Sequence, residues 1–398
     1  MNRPLVGAAM IVRDEERYLD ACLRSIREVV DEIVIVDTGS RDSSVQIAQS
    51  YGARVVHHSW NDDFSEARNV SLDEIDAEWV LYIDADERLS PVSRKELRLL
   101  LDLPEILAYR LWLQPRSDAT AYREYRLWRN DPRIRFEGVI HERVVPAIHR
   151  VAEQESMIVG LADLTLLHVG YEGDQTDKHY RNLPLLQRQA ALDPSNLFVW
   201  NHLARVLGAL GDTNQAEATL EAVVARDRSA GVHHPVASLS YLDLIRYRHR
   251  RGEAVDDLVA EARAAFPENL AIVWTEARIL MDEERYVEAL VVLEKMVELT
   301  ACEADPGAPA YDQRLVSDLP WDSIGLCRFR LGDFLGAAEA YRRAGDCASQ
   351  DYGYRAKEAV ASARAQGLFG QRAGVSVGDG SSRSMTCLDV KTKIEVRQ

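Results

Sequence analysis

The sequence predicts an α/β domain wound on both faces of a sheet, followed by an all-α array of helical repeats. Three observations predict it. Apolar runs of strand length alternate with helix-period segments through the first half, strand-like runs stop from about Tyr180 onward, and two segments beyond that point overlay without a gap. Strand and helix in alternation imply parallel strands covered by helices, the doubly wound arrangement.

The elements follow in order. LVGAAMIV, Leu5 to Val12, reads as a strand, and Leu19, Cys22, Leu23 and Ile26 then recur at helical spacing. EIVIVD, Glu32 to Asp37, is a second strand. After the turn TGSRDSS comes a short helix closing near Gly52, then RVVHH as a third strand, then a helix over Phe64 to Ile75. WVLYIDADERLSP, Trp79 to Pro91, is an apolar run closed by Pro, a buried strand that ends on Asp84, Asp86 and Glu87.

Ligands of such a sheet gather at the carboxyl ends of its strands, where Asp37 and the Asp84/Asp86 pair both fall. Asp84 and Asp86, two apart and just past a strand end, can both turn toward one ion if the backbone leaves the regular pleat there. Hard oxygen ligands suit Mg²⁺ or Mn²⁺, which commonly hold phosphate oxygens of a nucleotide. A solvated acidic loop is the competing reading of the same three residues.

In the second half, the segments beginning at Trp200 and Trp321 align throughout. Gly211 and Asp212 match Gly332 and Asp333, and Ala216, Leu220 and Val223 match Ala337, Tyr341 and Ala344. An aromatic residue, small residues where helices touch and Gly-Asp at the turn make the tetratricopeptide pattern. Ile272 to Leu299 is a third copy, and Pro235 to Phe266 supplies a degenerate helix pair. Each pair needs a neighbour to bury its apolar face, so the copies stack as one array. The boundaries expected are 1–176 for the α/β domain, 177–368 for the repeats and 369–398 for a Gly/Ser-rich linker and disordered tail.

Composition sets the class. The chain has 398 residues, 46% apolar and 28% charged, which suits a soluble globular protein with more than one core. A formal charge of −16, from 48 basic and 64 acidic residues, disfavours nucleic acid and anionic membrane as partners. Five cysteines without a CxxC pair indicate neither zinc nor a disulfide framework, and fit a reducing cytoplasm. The first residues hold no long apolar run and no stretch of about 18 apolar residues occurs, so neither a signal peptide nor a membrane span is expected.

MIVRDEERYLDACLRSI, VDEIVIVDTGSRDSS, WNDDFSEARNVSL and WVLYIDADE occur in the order and at the spacing of family 2 glycosyltransferases. YRLWRNDPRIRFEGVIHERV, HVGY and KHYRNLPLL resemble the bacterial subgroup that carries tetratricopeptide helices, among them sublancin-type S-glycosyltransferases and proteins of cell-surface glycan assembly. The resemblance covers roughly Leu5 to Leu186. It implies the GT-A fold, a Rossmann-like mixed sheet, and a cytoplasmic, metal-dependent, inverting transfer of sugar from a nucleotide diphosphate, UDP above others, to a peptide, protein or glycan acceptor. It also implies roles for residues. Val12, Arg13 and Glu15 lie against the base, Asp37 accepts from the uracil imide, and Thr38 and Gly39 turn the chain beside the ring. Arg68 and Asn69 stand near the nucleotide and its sugar. Asp84 and Ala85 face the ribose or sugar, and Asp84, Asp86 and His168 hold Mn²⁺ or Mg²⁺. Tyr171, Lys178 and Arg181 cover the diphosphate.

On the acceptor side Glu142 is the candidate base and His141 the second. Asp14 stands where the family usually has Asn, which leaves the hydrogen bonds there open. Competing structural readings are a helix or turn cap for Asp37, a helix-surface salt bridge for Arg68 and a structural salt bridge for Glu142 or His141. The repeats are expected to orient the acceptor or to join two subunits as a homodimer. A scaffold acting through its repeats is the rival from another class; a nucleotidyltransferase lacks its Gly-rich loop here.

Overall fold

The computed structural model describes residues 3–115, 120–170, 176–300, 312–348 and 351–367. Tyr171, Cys302, Cys387 and the expected linker and tail lie outside the described residues.

The N-terminal half forms β1 (Val6–Val12), α1 (Glu16–Ile26), β2 (Glu32–Asp37), α2 (Ser44–Ser50), β3 (Arg54–His57), α3 (Phe64–Asp73) and β4 (Trp79–Tyr82). Then come β5 (Glu87–Leu89), α4 (Arg94–Leu101), β6 (Ile106–Pro115), β7 (Tyr122–Arg129), α5 (Val145–Glu155) and β8 (Ile158–His168). They make one eight-stranded sheet in the order β3-β2-β1-β4-β7-β6-β8-β5. The first four in that order are parallel, as alternation predicts. Beyond them β7 runs antiparallel to β4 and β6, and β5 antiparallel to β8, so the sheet is mixed. Leu19, Cys22, Leu23 and Ile26, the predicted stripe of α1, are all fully buried against the sheet.

One expectation is corrected. The run from Trp79 to Pro91 is not a single strand. β4 stops at Tyr82, the chain turns through Asp84 to Asp86, and β5 resumes in a different pairing. The cause is local: the Glu87 N–H donates to the Asp84 carbonyl at 3.0 Å, while a Glu87 carboxylate oxygen accepts the Asp84 N–H at 2.9 Å. The backbone therefore leaves the pleat at the two acids.

The C-terminal half is helical: α6 (Thr176–Leu192), α7 (Leu197–Ala209), α8 (Thr213–Ala230), α9 (Ala237–Arg250), α10 (Asp256–Ala265), α11 (Leu270–Asp282), α12 (Tyr286–Thr300), α13 (Leu319–Arg330), α14 (Phe334–Cys347) and α15 (Tyr352–Ala365). The repeated Gly-Asp acquires a physical reason here. Gly211 and Gly332 take φ of 91° and 84°, a left-handed region that glycine enters without strain. The next residues, Asp212 and Asp333, cap α8 and α14 by accepting the Gln215 and Gly336 N–H groups. The aligned Ala216, Leu220 and Val223 are buried, as are Ala337, Tyr341 and Ala344. Among the described residues no helix is long and apolar enough to cross a membrane.

Candidate active site

At the carboxyl ends of β1, β2 and β4 lies an open cleft of about 250 Å³. It is lined by Val12, Arg13, Glu15, Thr38, Arg68, Asp84, Ala85, Asp86, His168, Lys178 and Arg181, all expected at the site, together with Ile11, Trp60 and Phe64. Six separate stretches of sequence thus converge at the strand ends.

The β4 to β5 turn sends its acids to different partners. Asp86 meets His168, whose Nε2 lies 3.1 Å from a carboxylate oxygen. Pairing of β5 with β8 sets Glu87 opposite His168, and the Val169 N–H donates to the Asp86 carbonyl at 2.9 Å. Burial pushes the imidazole's pKa down, but the Asp86 hydrogen bond and the charges of Asp86, Glu87 and Asp84 outweigh it, leaving His168 raised. Gly170 completes the fit, because any side-chain carbon there overlaps the Asp86 carboxylate.

Asp84 turns inward instead. Arg68 donates to one carboxylate oxygen at 3.0 Å; the Tyr82 hydroxyl reaches the other at 3.2 Å, with Arg126 at 3.6 Å. Burial alone raises an acid, yet these two guanidinium groups hold Asp84 below the usual carboxylate range. Arg68 is itself shared with Glu142, and Arg126 donates to Glu87 at 2.8 Å. Both guanidinium groups also lie over the Tyr82 ring, at 4.5 and 4.4 Å from its centroid. Two buried cations thus face three acids, and burial lifts Glu87 to about 7 despite Arg126. Arg126 and Glu87 were missed as a unit because their 39-residue separation hides the contact.

The three expected metal ligands thus take different partners in the structure. Asp84, Asp86 and His168 do not form one cluster, and no group of three metal-ligating side chains occurs among the described residues. Asp86 and His168 fit a cation that takes its remaining ligands from phosphate and water, the usual habit of Mg²⁺.

The acceptor-side candidates also have partners in the structure. Glu142 is held by Arg68 and does not line the cleft. His141, at φ 52°, turns away to contact His202 and Phe198, with ring centroids 4.1 and 5.2 Å away. Asn69 clamps the Phe136 backbone through both ends of its amide, at 2.8 and 3.0 Å. Asp37 caps its turn, accepting from the Ser40 N–H at 3.0 Å and the Gly39 N–H at 3.3 Å, with His57 at 3.1 Å. Burial opposes ionisation of Asp37, but these bonds hold it below the usual range. Gly39 has φ 105°, which explains glycine at that turn. Asp14 sits at φ 56° and accepts the Arg41 N–H at 2.7 Å, a job that suits a carboxylate as well as an amide.

Trp60 and Phe64 escaped the sequence reading. Their rings meet edge to face at 4.7 Å, and Arg181 lies over Phe64 at 5.6 Å. The aromatic spacing in WNDDF is the sequence signal that went unused.

Residues 8–136 match the family described as Glycosyl transferase family 2. The chain is 33% identical over 270 residues to a TPR repeat-containing protein of Synechococcus elongatus, covering 66% of each. It is 25% identical over 204 residues to the SPbeta prophage-derived glycosyltransferase SunS of Bacillus subtilis, covering 49% of this chain and 47% of that one. Over 156 residues it is 31% identical to the lipopolysaccharide core biosynthesis glycosyltransferase LpsC of Rhizobium meliloti, covering 35% of this chain and 57% of that one. The chain thus spans less than two thirds of the length of each of these relatives.

Proposed function

The N-terminal domain of this chain belongs to glycosyl transferase family 2 and is joined to tetratricopeptide-like repeats, and from that premise we propose that the protein transfers a sugar from a nucleotide diphosphate, UDP first among them, to a peptide or protein acceptor. One observation carries the reading. Arg13, Lys178 and Arg181 line the cleft, and none makes an ion pair among the described residues. Arg68, which lines the same cleft, is by contrast held by Asp84 and Glu142. Cations left open opposite Asp86 and His168 suit a diphosphate whose charge is shared between them and a divalent ion.

The chain's own residues then divide the work. Arg13, Lys178 and Arg181 bind the diphosphate and offset the charge that grows on it as the glycosidic bond breaks. Asp86 and His168 would hold Mn²⁺ or Mg²⁺, which supplies Lewis-acid stabilisation of the departing group when bound. Arg68 and Arg126 fix the Asp84 carboxylate at the cleft wall, where it receives hydroxyl groups of ribose or sugar. Glu142 fixes Arg68 in turn, a supporting task rather than the proton transfer expected of it.

A screen of UDP-, GDP- and dTDP-sugars for slow hydrolysis, with Mn²⁺, Mg²⁺ or chelator, tests the reading without the acceptor. We expect one UDP-sugar to be cleaved. Asp86→Asn should fold normally and lose turnover by about a hundredfold or more, since it removes an anionic ligand without changing size. Full activity of that variant with metal sinks the assignment.

A further inference from the structure

Ion pairs along the repeats differ in closeness. Arg205 lies 3.9 Å from Asp243, Arg246 3.7 Å from the same residue, His249 3.5 Å from Asp282, and Arg278 3.8 Å from Asp282. Every other ion pair between described residues of α7 to α15 is 3.3 Å or shorter, the longest joining Arg248 to Glu217. At such separations the four loose contacts are ion pairs without a hydrogen bond. Arg205, Arg246 and Arg278 have 61%, 49% and 54% of their side chains exposed.

These residues form one continuous row. Asp243 lies between Arg205 of α7 and Arg246 of α9; one turn along α9, His249 faces Asp282 of α11, beside Arg278. At the other end Phe198, His202 and Arg205 share a face of α7 at i, i+4 and i+7. His202 packs on His141, the neighbour of Glu142, so the row begins at the edge of the transferase domain. Burial, with His141 and Arg205 adding to it, holds His202 at about 3, and burial lowers His141 as well. That end is aromatic and uncharged; the rest leads with cations in a chain whose net charge is −16.

Guanidinium forks on the alternate helices α7, α9 and α11 match carboxylates spaced along an extended strand. Asp243 and Asp282 interrupt the row, which repels an unbroken phosphate backbone but tolerates spaced charges. We propose that this row docks an acidic peptide, with an apolar or aromatic side chain seated against Phe198, His141 and His202. That the peptide is the acceptor rests on the transferase reading; the docking does not.

The test uses the full chain and a fluorescein-labelled peptide, one phenylalanine followed by glutamates spaced by glycines, read by fluorescence polarisation without donor. The glutamate peptide should bind, its glutamine counterpart about tenfold or more weakly, and affinity should fall as salt rises. Arg205→Glu, Arg246→Glu and Arg278→Glu together should abolish binding and leave UDP-sugar hydrolysis unchanged. Should the triple variant misfold, Arg246→Gln alone should weaken binding measurably. No binding of the glutamate peptide, equal binding of the glutamine peptide, undiminished binding by the variants, or tighter binding of a single-stranded oligonucleotide overturns the proposal. Peptide binding without hydrolysis of any nucleotide sugar sinks the transferase reading and leaves the docking standing.

Discussion

At the scale of single residues, the site is set by which neighbour each acid was given. Asp86 keeps its place because Gly170 has no side chain to displace it. Gly170→Ala should therefore leave the thermal midpoint nearly unchanged while lowering donor hydrolysis by about tenfold or more, through a carboxylate pushed off its position; unchanged hydrolysis counts against Asp86 as the metal ligand. Glu15 gives a pH signature. Burial, then Asp86 and Asp84, raise it to about 7, with Lys178 opposing. The folded chain therefore holds a proton that the unfolded chain releases near 4.5. Stability from this group is present at low pH and is lost as pH rises through about 7. In metal-free buffer the thermal midpoint should fall between about pH 5 and 8, and Glu15→Gln should flatten that slope. An identical slope in the variant shows that other groups set it.

At the scale of elements, small residues decide how closely repeat helices approach. A Cβ on Gly325 of α13 meets the Tyr341 ring of α14 at 2.6 Å, and that ring is buried. Gly325→Ala should cost about 1–3 kcal/mol in urea denaturation by forcing the pair apart; a neutral result shows that the ring swings aside freely. The repeats were legible because their pattern is local: a Gly-Asp turn and apolar residues every third or fourth place. So were β1 to β3, whose apolar runs are unbroken. The β6, β7 and β8 strands were not placed, since YREYRLWR carries arginines that reveal their burial only through partners on other strands. Arg126 on β7 is the instance: a charge that reads as surface in sequence is buried between Asp84, Glu87 and the Tyr82 ring. Asp86 and His168, both named for one site in the sequence, do meet in the structure. The engagement of Glu142 by Arg68, 74 residues away, was not legible.

At the scale of the whole molecule, the sheet domain and the repeats share a core. Val139 and Ile140, from the loop before α5, are buried with Leu185, Leu186 and Ala190 of α6 and with Val199 and Leu203 of α7. Trp60 and Phe64 pack on the edge of this cluster and line the cleft at the same time. Gln189 of α6 accepts the buried Val139 N–H at 2.8 Å, so separating the units leaves a backbone donor without a partner as well as apolar surface in water. Lys178 and Arg181 stand on that same α6. The first helix after the sheet domain thus supplies cations to the cleft and apolar residues to the junction. Ending the chain at residue 176, the boundary read from sequence, should remove both. We expect that fragment to elute as aggregate in size-exclusion chromatography and to bind UDP at least about tenfold more weakly than the full chain, having lost two of its three open cations. A monodisperse fragment with full UDP affinity would mean that the cleft is complete without α6.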